Sequence, residues 1–115
     1  MDATTRAKYE AWTKIVKAMA HPARLLIVDE LSKTPERCVC ELTEMIGTDM
    51  STVSRHLAQL TQAGLIEYEK RGQMVYYRLR VHCTLDFFDC IRSVIECNAN
   101  SQQQLLGSGR GDAAV

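Results

Sequence analysis

Two short helical patterns joined by a tight turn, followed at once by a change of period, constrain this chain more than any other feature. Leu42, Met45 and Ile46 recur at helical spacing and stop at Gly47, the residue type that most readily adopts a left-handed C-cap. Asp49 then reads as an N-cap. The stretch from Met50 to Ala63 puts Val53, Leu57 and Leu60 on one face, with Ser51, Thr52, Arg55, Gln59 and Gln62 largely on the other. Gly64 closes that helix. Beyond it Ile66, Tyr68 and Lys70 alternate with charged residues, Arg71-Gly72-Gln73 supplies a turn, and Met74 to Leu79 is rich in β-formers, so the pair reads as a hairpin.

The flanks are helical. Trp12, Ile15, Val16 and Met19 give an amphipathic helix over residues 5–19 that His21-Pro22 ends, and a second helix runs from Pro22 through Leu25, Val28 and Leu31 to Thr34-Pro35. The last helix, about Thr84 to Asn98, carries Leu85, Phe88, Ile91 and Ile95 on one stripe. A second stripe lies beside it: Cys83, Phe87, Cys90, Val94 and Cys97, spaced four, three, four and three. That spacing is the one a helix uses to pack on another helix, so the second stripe is expected to form a dimer interface. The chain is therefore read as mostly α with a small β-hairpin, in the order α-α-α-α-β-β-α. This is the winged helix-turn-helix arrangement, dimeric through its terminal helices. Residues 1–100 form the DNA-binding and dimerisation domain, and residues 101–115, Gly-rich towards the end, are expected to be a disordered tail.

With 115 residues the chain supports one core, which argues against a two-domain enzyme. No apolar run approaches the roughly 20 residues that span a bilayer, so the protein is expected to be cytoplasmic with no membrane partner. Lys+Arg 14 balance Asp+Glu 14, yet residues 51–80 hold Arg55, Lys70, Arg71, Arg78 and Arg80 against Glu67 and Glu69 alone. A basic segment inside a neutral protein suggests a localised anionic partner, although such a segment is also an ordinary solvated face. Five cysteines without a secretion signal read as reduced thiols rather than a disulfide framework.

Cys38-Val39-Cys40-Glu41-Leu42, the run Ser51-Thr52-Val53-Ser54-Arg55-His56-Leu57 and the strand Val75-Tyr76-Tyr77-Arg78-Leu79 together resemble the ArsR/SmtB family of metal-responsive repressors, in its arsenical-resistance branch. The resemblance covers roughly residues 8 to 98. It implies a homodimer on double-stranded operator DNA, an imperfect palindrome, that blocks transcription and lets go when As(III) or Sb(III) binds cysteine thiolates. It implies no organic cofactor and no enzymatic activity. In that branch a third cysteine often lies three residues after the second; here the position is Thr43. Either a non-protein ligand completes a site of Cys38 and Cys40, or Cys97 supplies a third sulfur. The zinc sensors' ligand positions on the terminal helix hold Val81, Cys83, Val94 and Cys97, so the zinc set is missing. No cysteine precedes Cys38, which disfavours the cadmium and lead version.

The residues suggest how sensing works. A helix sets i and i+2 about 200° apart, so Cys38 and Cys40 cannot share one ion while the first turn stays intact. Cys38 and Glu41 have capping-box spacing, but a thiol accepts hydrogen bonds poorly, so this turn is expected to be weakly held. Unwinding it should re-aim the next helix. On that helix Thr52, Ser54, Arg55 and Gln59 are the expected base readers, with Ser51 and His56 on phosphates and Lys70 and Arg71 at the hairpin tip on flanking DNA. His21 reads as a hydrogen-bonded structural residue and His82 as a weak ligand candidate. The alternative reading keeps the fold and makes it a thiol redox or sulfur-species sensor through Cys83, Cys90 and Cys97, although buried cysteines filling a seam are the blander account of those three. A thiol enzyme would need a phosphate-cradling loop or a two-residue spacer in the cysteine pair, and neither is present.

Overall fold

A computed structural model of the chain describes residues 1–82 and 84–108. They fall into two compact units, one ending at His82 and one made by the terminal helix.

In the first unit α1 spans Ala3–Met19 and is capped by Asp2, whose carboxylate accepts from the Thr5 N–H at 2.7 Å. Only the end of its expected stripe is buried: Met19 is covered, whereas Trp12 is 56% exposed and Ile15 and Val16 are open as well. α2 (Pro22–Lys33) starts with Pro22 in its first turn, where a missing N–H costs nothing, and is capped by His21, whose Nδ1 accepts from the Ala23 N–H at 3.0 Å. His21 is thus a cap.

The supporting helix α3 (Val39–Ile46) ends at Gly47 with φ 81°, and α4 (Met50–Gln62) begins at Asp49. Val53, Leu57 and Leu60 of α4 are fully buried with Leu42 of α3, Ile27, Val28 and Leu31 of α2, and Ile66 and Leu79 of the hairpin. The hairpin is β2 (Ile66–Arg71) and β3 (Met74–Leu79), paired antiparallel from Ile66↔Leu79 to Arg71↔Met74.

The structure adds one element to the expected order. Arg37 and Cys38 form a two-residue strand, β1, that pairs antiparallel with β3 in the register Arg37↔Tyr77 and Cys38↔Tyr76. The observed order is α-α-β-α-α-β-β-α, with a three-stranded sheet ordered β1-β3-β2. A strand this short has no period to detect, which is why the sequence shows only a hairpin. It also corrects the geometry expected for the cysteine pair: Cys38 is the extended N-cap residue (φ −82°, ψ 162°) and lies outside the helix that Cys40 occupies.

The second unit is α5, Thr84–Ser108. It continues ten residues past its expected end at Asn98, so residues 101–108, expected in a disordered tail, are helical. The run Ser101-Gln102-Gln103-Gln104-Leu105-Leu106 contains no Pro or Gly to stop it. Residues 109–115 of that tail, and Cys83, lie outside the described residues. Among the described residues no helix is long and apolar enough to cross a membrane.

Candidate nucleic-acid interface and thiol site

The outer face of α4 is built by subtraction. Once Val53, Leu57 and Leu60 are buried, Ser51, Ser54, Arg55 and Gln59 stand exposed along one side, with Thr52 and His56 half-buried at its edge. The start of the helix is fixed by Asp49. Its carboxylate accepts from the Thr52 N–H at 3.0 Å, from the Thr52 hydroxyl at 2.7 Å and from the Ser51 hydroxyl. The two hydroxyls and that N–H hold the Asp49 carboxyl well below the usual carboxylate range. Ser51 and Thr52 therefore spend their hydroxyl protons on the cap and are left to act as acceptors.

His56 turns inward. Its Nδ1 accepts from Arg24 Nε at 3.1 Å and its ring lies 4.3 Å from that of His21. Burial first, and then the charges of His21, Arg24 and Arg55, hold His56 below the ordinary imidazole value. Neutral His56 has its proton on Nε2, the tautomer that the Arg24 hydrogen bond selects. Arg24 is a functional neighbour that periodicity does not reveal, because its partner lies 32 residues away.

The hairpin is less basic than its sequence. Arg71 makes a two-pronged pair with Glu36 at 2.7 Å for each prong, and its guanidinium lies over the Tyr76 ring. Arg78 pairs with Glu67 and Glu69. Lys70, at the tip, is exposed and has no carboxylate within ion-pair distance among the described residues.

The thiol region joins these parts. Cys38 is 6% exposed and Cys40 is exposed, so the two side chains leave the chain on opposite sides of the start of α3. Burial pushes the Cys38 thiol above its ordinary value, so the group is protonated at neutral pH. The expected capping box is present but lopsided: the Cys38 N–H donates to Glu41 Oε1 at 3.0 Å, whereas the thiol is only a weak acceptor for the Glu41 N–H. Arg37 then clamps Glu41 (2.8 Å) to Glu30 (2.7 Å). The Cys38 N–H first, and then Arg37, hold Glu41 low and ionised. Thr43 faces its own helix, with its hydroxyl donating to the Val39 carbonyl at 2.8 Å. Among the described residues no three His, Cys, Asp or Glu side chains converge as a preformed metal site.

On α5, Phe87, Cys90, Val94 and Cys97 are all exposed, as is Ile95 of the neighbouring stripe. His82 is exposed too.

A helix pair whose second member shows a polar face, beside a hairpin wing, defines a winged helix-turn-helix DNA-binding protein. Known proteins agree. The profile of the bacterial regulatory protein arsR family matches residues 21–68. The arsenic resistance transcriptional regulator ArsR1 of Pseudomonas putida is 33% identical over 84 residues, which is 73% of this chain and 66% of that protein. The arsenical resistance operon repressor of Bacillus subtilis is 38% identical over 79 residues, 69% of this chain and 75% of the repressor. The homodimeric winged helix-turn-helix DNA-binding domain of Mb0332 from Mycobacterium bovis matches with a TM-score of 0.72 at 26% identity, covering 86% of this chain and 91% of that one. The chain belongs to the ArsR family of transcriptional regulators, DNA-binding proteins rather than enzymes.

Proposed function

We propose that the protein is a homodimeric repressor of double-stranded operator DNA that is released when As(III) or Sb(III) is captured by Cys38 and Cys40. α4 enters the major groove, where Arg55 suits guanine, Gln59 suits adenine and Thr52 and Ser54 read beside them, while Lys70 meets flanking phosphate. A two-fold dimer reads an imperfect palindrome. The exposed apolar residues of α1 and of α5, Trp12 and Val94 among them, support dimerisation, because patches of this kind on a small protein mark contact surfaces.

One observation carries the release mechanism: the two thiols flank the start of α3 from opposite sides, one buried and one exposed. Arsenite, as As(OH)₃, exchanges two hydroxyls for two thiolates; the thiol protons leave with those hydroxyls as two waters, and the third hydroxyl stays unless Cys97 replaces it. Reaching both sulfurs requires Cys38 to come out of its buried position. That strips Glu41 of the Cys38 N–H and breaks the Cys38↔Tyr76 pairing. The turn that supports α4 and the strand that carries the wing are disturbed together.

Arsenite titration of the protein on its own upstream DNA tests this. Loss of response in Cys38→Ser and Cys40→Ser, with Cys97→Ser still responsive, supports a local two-sulfur site. Full response in Cys38→Ser refutes it. The exposure of Cys90 and Cys97, seven residues apart on one stripe, favours the redox alternative as a second reading. Release by polysulfide but not by arsenite would select it.

A further inference from the structure

The arginines of the sheet and of the segment that follows it, Arg37, Arg71, Arg78 and Arg80, each have a carboxylate within 4 Å. Among the described residues, Arg6, Lys8, Lys14, Lys17, Arg24, Arg55 and, alone on the wing, Lys70 have none. Four of these, Lys14 and Lys17 of α1, Arg24 of α2 and Arg55 of α4, come together. A cavity of about 470 Å³ is lined by Lys14, Lys17, Arg24, Gln59 and Gln62. A neighbouring one of about 400 Å³ shares Arg24 and Gln59 and adds Arg55, Thr52 and the His21–His56 pair. Neither is lined by a carboxylate, so the two make one groove of cations and neutral donors.

Arg24 is held in place for this. Nε donates to His56 Nδ1 and Nη1 reaches the Ala18 carbonyl at 3.4 Å, which ties the guanidinium to α4 on one side and to the end of α1 on the other. Its remaining N–H groups have no partner among the described residues. A fixed guanidinium with donors to spare, flanked by two flexible lysines, is the chemistry that takes phosphodiester oxygens. The groove also shares Arg55 and Gln59 with the reading face of α4, so whatever those residues read continues into it.

We propose that this groove seats the sugar-phosphate backbone of the DNA strand bordering the bases read by α4, with Lys14, Lys17 and Arg24 as its phosphate-binding residues. The main electrostatic anchor is then the α1–α2–α4 groove and not the wing. This rests on the DNA-binding reading above and adds to it where the phosphates go.

The test is salt dependence. Full-length wild type, Lys14→Gln/Lys17→Gln, Arg24→Lys, Arg55→Ala and the control Lys33→Gln, whose lysine pairs with Asp29 at 3.2 Å, are titrated across a salt series. The probes are a random-sequence duplex of about 30 base pairs and a tight-binding duplex selected by the wild type from a random library. The double variant changes exposed side chains, so its thermal melt should match the wild type's. Its plot of log K against log salt should be shallower by about 0.9 for each phosphate lost, to a similar extent on both duplexes. Arg24→Lys, which keeps the charge, and Lys33→Gln should keep the wild-type slope, while Arg55→Ala should lose discrimination between the duplexes. An unchanged slope in a double variant that still discriminates overturns the groove and leaves the DNA reading standing. A wild type that leaves the random duplex unbound and enriches no duplex from the library overturns both.

Discussion

The two helices of the reading pair are started by opposite chemistries. α4 begins at a carboxylate that gathers four donors, from Thr48, Ser51 and twice from Thr52. α3 begins at a buried thiol and is held mainly by Glu41 reaching back to one backbone N–H. The helix that would touch DNA is thus pinned at its first turn by its own cap, and the helix beneath it has only a weak thiol cap and leans on Glu41, Arg37 and a two-residue strand. A switch can work at the second place without melting the first, and a thiophilic ion meets least resistance there. The caps also titrate from opposite ends of the pH scale: the Asp49 carboxyl is held below its ordinary range and the Cys38 thiol above its own.

The contrast is open to attack at several points. The largest effect should come from Leu57→Ala, which removes a fully buried side chain of α4 from the shared core. About 2–5 kcal/mol should be lost in urea denaturation. If hydrogen exchange then showed only α4 loosened and α3 untouched, the two helices would not be one cooperative unit.

A smaller loss is expected for Asp49→Ala, and its pH dependence is the sharper observation. A carboxyl with a depressed folded pKa stabilises fully above its unfolded value, near 3.8, and that contribution fades as pH falls towards the folded value. The stability gap between wild type and variant should therefore hold at neutral pH and narrow in acid melts below about pH 4. A gap that is constant with pH would show that the cap is not acting through its charge.

The smallest effect, and the one of opposite sign, belongs to Cys38→Ser. A hydroxyl is the better acceptor for the Glu41 N–H, so the metalloid-free protein should gain up to about 1 kcal/mol. The thiol's raised value means that its contribution is complete below the unfolded value of 9.0 and is lost as pH rises through the folded one, a loss the serine variant should lack. A variant less stable than wild type at neutral pH would mean that the thiol's packing outweighs its poor capping.

Much of the frame was legible in the residues. Gly47 and Asp49 bracket the turn where expected, and Gly72 turns the hairpin at φ 64°. The 3.6-residue spacing of Val53, Leu57 and Leu60 marks the buried face of α4, because a single amphipathic helix advertises its core locally. What escaped is non-local. β1 exists only because β3 lies beside it. The segment 51–80 counts as basic, yet Glu36, Glu67 and Glu69 pair with Arg71, Arg78 and Arg80 and leave Arg55 and Lys70, and Glu36 lies 35 residues from Arg71. Counting charges cannot say which are already occupied. The helically spaced apolar residues of α1 promised an amphipathic helix, and the structure leaves Trp12 of that stripe open. Cys38 and Cys40 stand out by type, but only the structure separates a strand-end thiol from a helical one.

The brevity of β1 has a further consequence. If an inducer pulls Cys38 from its place, the middle strand of the sheet becomes a border, and bare backbone donors and acceptors at a sheet border invite foreign chains to join. Here the vacated length is two residues, Tyr76 and Tyr77. Too few rungs are freed for a stranger to climb, so the ion-loaded protein should stay soluble and return to service once the ion is removed.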